Sequence, residues 1–211
     1  TGHMYVSGYW THNTGGTFNH NSGTITFDGT GTSTFDVIST ETFGSLTINK
    51  GGSGYVNFAN GDVLVVTGQT NLTDGYYYQN GNSMIEAQGD VTMGSSWTQG
   101  VTAALRFSGT ANQTFDLSAG SSLFDGSIII DKSSGKVTLA SNFNMAYGSA
   151  KITLTAGTLD LDGNSLTNSV GTTTVNGSFT IDGTGTFSMA GFNQTTGIFT
   201  ISEAILFQVG A

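Results

Sequence analysis

The sequence predicts an all-β chain wound as a parallel β-helix, a β-solenoid. Three observations predict it: a strand-and-turn composition, a self-similarity that runs through the chain without a linker, and polar residues recurring at matching positions as stacked ladders require. Two tandem β-sandwich domains are the alternative architecture, since short strands with frequent turns would also suit them.

Composition is the first observation. The 211 residues include 32 Gly, no Pro and no Cys, and 9% are charged, against about 25% in an ordinary soluble domain. Thr, Ser, Asn and Gly supply the polarity instead. Strong helix formers are sparse, while Thr, Val, Ile, Phe and Tyr are plentiful between turn residues. With 36% apolar and 11% aromatic residues the chain has enough to bury, so it reads as folded rather than disordered.

Five Lys plus Arg stand against 14 Asp plus Glu. Nucleic acid and anionic membrane surfaces are therefore excluded as partners, because both demand clustered cations. The longest apolar run, Val63-Leu64-Val65-Val66, is far short of the ~20 residues that span a bilayer. Without Cys there are no disulfides or thiolate metal sites. Gly2-His3-Met4 reads as a cloning remnant.

Self-similarity is the second observation. Thr34-Phe35-Asp36 recurs as Thr114-Phe115-Asp116, an offset of 80. Leu46-Thr47-Ile48-Asn49-Lys50 lines up with Ile128-Ile129-Ile130-Asp131-Lys132 at 82, and Gly54-Tyr55-Val56-Asn57-Phe58 with Gly135-Lys136-Val137-Thr138-Leu139 at 81. Trp10-Thr11 matches Trp97-Thr98 at 87, and Phe18-Asn19 followed by Gly23 matches Phe192-Asn193 followed by Gly197 at 174. This divides the chain into a lead-in (1–9), a first copy (10–96), a second copy (97–186) and the start of a third (187–211), read as one continuous solenoid. Each unit should hold four coils of roughly 20 residues.

Within a unit the strands follow in order, each closed by a turn. Thr24–Phe27 precedes Asp28-Gly29, Leu46–Asn49 precedes Gly51-Gly52, Val56–Phe58 precedes Asn60-Gly61, and Thr158–Leu161 precedes Asp162-Gly163. Asp-Gly and Asn-Gly pairs tolerate the positive φ such turns need.

The phrases Gly23-Thr24-Ile25-Thr26-Phe27-Asp28-Gly29, Phe43-Gly44-Ser45-Leu46-Thr47-Ile48-Asn49-Lys50 and Leu154-Thr155-Ala156-Gly157-Thr158-Leu159-Asp160-Leu161-Asp162-Gly163 resemble repeats of large bacterial cell-surface proteins, the filamentous-haemagglutinin-like and autotransporter-like β-helix adhesins. The resemblance implies a right-handed parallel β-helix, export to the cell surface or beyond it, and a stalk or adhesive role. It carries over no catalytic residue.

Candidate sites were weighed with that expectation. Arg106 is the sole Arg and the one candidate base for lyase chemistry, but its strand repeats that of Phe27. Asp36 and Asp116 are repeat equivalents, the pattern of turn or ladder groups rather than of a facing acid and base. Glu41, Glu86 and Glu203 show no evident partner. Asp160, Asp162 and Asn164 have the alternating oxygens of a Ca²⁺ loop, yet the closing Glu is missing, so a turn is the plainer account. His3, His12 and His20 read as solvated. No nucleophile elbow or phosphate loop is present, and the chain is expected to be non-catalytic and to need no cofactor.

Two features suggest binding. Tyr76 and Tyr78 share one strand face where the second copy has Thr158 and Asp160, and with Trp10 and Trp97 they could stack on glycans. Thr pairs such as Thr24/Thr26, Thr153/Thr155 and Thr172/Thr174 suit ice-binding arrays if regularly stacked. The uncharged final run Ala204–Val209 lacks a cap, so partners are expected to be adjoining repeats or the chain itself.

Overall fold

The computed structural model describes residues 2–12, 15–97, 104–117, 126–145, 150–202 and 204–210. Every strand pairing among them is parallel. The architecture is a β-solenoid of about eight turns. Tandem sandwiches, which need antiparallel hairpins, are excluded.

Each coil visits three faces in chain order. The first face begins with strands His3–Val6, Thr24–Phe27 and Ser45–Asn49, the second with Tyr9–His12, Thr32–Val37 and Tyr55–Phe58, and the third with Thr40–Phe43, Val63–Val66 and Met84–Ala87. Longer strands turn a corner and serve two faces. Thr70–Gln79 runs from the first face to the second, and Ser127–Leu139 and Lys151–Asp160 run from the third to the first.

Register fixes the coil length. On the first face Ile25 pairs Leu46, Leu46 pairs Thr70, Thr70 pairs Val91, Val91 pairs Phe115 and Ile181 pairs Ile201. The steps are 21, 24, 21, 24 and 20 residues, close to the expected coil. Four coils from Ile25 end at Phe115, 115 − 25 = 90 residues on. The sequence repeat of 80–82 therefore falls one face short of four coils. Thr34–Asp36 accordingly lies on the second face and Thr114–Asp116 on the first, while Leu46–Asn49 lies on the first and Ile128–Asp131 on the third.

Alternation within strands builds the core. Val56 and Phe58 point in from Tyr55–Phe58, and Leu64 and Val66 from Val63–Val66, all completely buried. Inward residues from all three faces form one apolar cluster extending from Val6 to Met189. Burying each large aliphatic or aromatic side chain contributes about 1.5–3 kcal/mol.

Two lysines interrupt this apolar pattern at corners. Lys50 and Lys132 are almost wholly buried, and burial lowers both ammonium pKa values. Lys50 Nζ donates to the carbonyl of Asp28 and, at 2.9 Å, to Ser33 Oγ. Lys132 Nζ donates to Ser108 O at 3.1 Å and Gln113 Oε1 at 2.6 Å. Asp28/Ser108 and Ser33/Gln113 are both separated by 80 residues and the lysines by 82, so one clamp is used twice. It sits at the first-to-second corner in one copy and the third-to-first corner in the other.

The next coil meets each clamp with a glycine. Gly75 has φ +85°, and a Cβ there would lie 2.6 Å from Lys50 Cβ; Gly157 has φ +102°, and its Cβ would lie 2.9 Å from Lys132 Cβ. Alanine at either position combines left-handed strain with a backbone-level clash. In denaturant titration Gly75→Ala and Gly157→Ala should each lose at least about 2 kcal/mol. Gly52→Ala, at φ +65° with nothing within 4 Å, should lose only about 1 kcal/mol.

Candidate functional site

The second face carries an outward tyrosine strip. Tyr55 pairs Tyr76 in register, and their rings stack at 4.9 Å and 13°. Tyr78 pairs Asn57 and is 40% exposed. Between them Tyr77 points inward, because successive strand residues alternate, and is completely buried between Phe58 and Trp97. Beside the strip Asn80 Nδ2 donates to Asn57 Oδ1 at 2.9 Å and to Phe58 O at 2.7 Å, tying two coils together. The strip thus offers uncharged aromatic and amide groups on a flat parallel sheet.

Tyr76 and Tyr78 do share the outer face, as the alternation predicts. Tyr55 was not singled out from the sequence, although its counterpart is Lys136 rather than an aromatic. Trp97 requires correction. It is 1% exposed and packs inward against Tyr77, because it arrives over Gly75, where no side chain blocks it. Trp10 is half-buried, edge-on to Phe18 and Phe43 at 4.8 Å each, and borders an open depression with Tyr9, His12 and Phe18.

The glutamates expected to lack partners have them. Glu41 is buried, and its carboxylate pairs with His12 Nδ1; hydrogen bonding to Glu41 holds the His12 pKa above its ordinary value. Glu86 accepts from Arg106 at 3.3 Å and from Ser108 Oγ at 2.7 Å. Arg106 also pairs with Asp131 and so joins three successive coils of the third face. Glu203 lies outside the described residues.

The histidines are held separately rather than together. His3 Nε2 bonds Thr26 Oγ1 at 2.7 Å, His20 Nδ1 accepts from the Ser22 amide at 3.1 Å, and His12 is committed to Glu41, which corrects its reading as a solvated loop residue. Asp36 pairs in register with Thr11 on the second face and Asp116 with Thr92 on the first. They cannot flank one substrate.

At the calcium candidate, Asp160 pairs with Lys136 Nζ at 2.5 Å and accepts the Asp162 amide at 3.0 Å, while Asn164 Nδ2 donates to Leu139 O at 2.9 Å. Asp162 and Gly163 have φ of +47° and +83°, the two consecutive positive angles of a type I′ turn. Of the Thr pairs, Thr24 and Thr26 stack on Ser45 and Thr47, but Thr153 pairs Thr174 and then Asn193, so no uniform threonine array forms there.

No family model, curated protein or solved structure matches the chain.

Two outcomes follow from these contacts. Tyr77 Oη is buried without a hydrogen-bond partner, so Tyr77→Phe should raise stability by about 1 kcal/mol in denaturant titration. A raised His12 pKa means that the His12–Glu41 pair stabilises fully below pH ~6.5 and is lost as pH rises through the folded-state pKa. The melting-temperature advantage of the wild-type chain over Glu41→Gln should accordingly shrink over that rise; a constant difference would show that the pair does not titrate.

Proposed function

We propose that the chain is a non-catalytic structural or adhesive segment of a long extracellular repeat protein. The observation that carries this reading is the single apolar core, which runs coil on coil along the axis with inter-coil hydrogen bonds on every face. Such stacking makes length cheap to add and holds outward side chains on a stiff frame. The likeness of its phrases to bacterial β-helix adhesin repeats supports export and display, as does the absence of Cys from a chain whose stability comes from ladders.

Antibody raised against this segment should label intact producing cells or their surrounding matrix, and external protease should remove the label. Labelling that needs cell lysis would refute surface display.

A second reading, carbohydrate binding, rests on the exposed Tyr78 beside the Tyr55–Tyr76 stack. Tyrosine offers an apolar ring and a polar tip, which suits a neutral sugar. On a glycan array the wild-type chain should retain neutral glycans that Tyr78→Ala loses while its melting temperature is unchanged. Equal retention by both proteins would move the contact elsewhere.

A further inference from the structure

The final coil ends in an aromatic triangle with one corner from each face. Phe192 stands on the third face, Phe199 on the first and Phe207 on the second, with ring centroids 5.1, 5.6 and 5.7 Å apart. Their register partners one coil earlier, Thr173, Phe179 and Phe187, are buried to 2% exposure or less. The triangle itself is only partly buried, because nothing lies above it. Strands Phe199–Ile201 and Ile205–Val209 each pair on one side only among the described residues.

The first coil presents a matching surface. Strands His3–Val6 and Tyr9–His12 are likewise paired on one side, the second face brings Trp10, and Phe18 enters between the second and first faces. Residues 2–27 contain no Asp, Glu, Lys or Arg, and Glu203 is the only one in 183–210. Both ends therefore combine free strand edges, accessible aromatics and almost no charge, the combination that templates pairing with another chain.

The chain itself shows what can cover such a coil. Its other tryptophan, Trp97, belongs to the repeat match with Trp10, and it lies over the second-face aromatic of the preceding coil, Tyr77, at 6.3 Å. A first coil placed over a last coil has the same polarity, later over earlier, and would set Trp10 on Phe207. Phe18 would meet Phe192, its own counterpart in the 174-residue match.

We infer that this chain associates head to tail with a second copy, its first coil seated on the last coil of its neighbour so that the first- and second-face ladders continue across the junction. The inference rests on the structural-rod reading. Because the two contacting surfaces differ, the contact does not close on itself, and copies add in a line.

Light scattering over a concentration series should show the mass of the wild-type chain rising by whole copies. Trp10→Lys blocks the first coil, and Leu206→Lys, at a residue already 54% exposed, blocks the last without disturbing the fold; each should associate at least tenfold more weakly alone. Mixed in equal amounts they should form dimers and nothing larger, since one intact end of each kind remains. A wild-type chain that stays monomeric at the highest concentration overturns the inference and leaves the last coil to a following segment of the same chain. Association of either blocked variant with itself overturns it in favour of a like-with-like contact. Surface labelling is independent of both results, so failure here and failure of the rod reading are distinguishable.

Discussion

Everything in this molecule depends on one constraint: an inward side chain is buried only when the coils before and after it lie in register. Parallel strands of four to six residues, each too short to be stable alone, become a ladder because every backbone amide finds a carbonyl one coil away. The core is continuous along the axis for the same reason. Phe179 and Phe187 are buried because Phe199 and Phe207 cover them, whereas the latter two have nothing above.

Polar groups obey the same constraint. A buried ammonium is costly unless its donors are satisfied, and Lys50 and Lys132 are tolerated because a carbonyl and a side-chain oxygen of the preceding coil wait at the corner. Charged side chains on the outer surface likewise bond between coils, as Arg106 does to Glu86 and Asp131 and Lys136 to Asp160. Such exposed pairs contribute little individually. They also occupy groups that would otherwise be candidates for chemistry, and this is why the acidic residues of the chain resolve into ladder and turn positions.

The relation between repeat and coil is less direct. An 80-residue repeat that falls one face short of four coils returns each motif on a different face, as the lysine clamp shows by serving two different corners. A clamp can move this way only if the corners are alike, and a three-faced coil of similar strands meets that condition. Successive copies of any outward motif are consequently presented in different directions around the axis, which suits a surface segment more than a single aligned binding face.

The sequence by itself determined the all-β character, the coil of about 20 residues, the turn at Asp162-Gly163 and the shared outer face of Tyr76 and Tyr78, since each depends on alternation and local backbone preference. It also contained a signal that went unread: two of only five cationic side chains, Lys50 and Lys132, fall at the same repeat position. Only the tertiary structure decided that Trp97 is core, that His12 finds Glu41, and that repeat equivalents sit on different faces. Those outcomes depend on which residue lies one coil away, and a coil varying between 20 and 24 residues hides that from any fixed spacing along the chain.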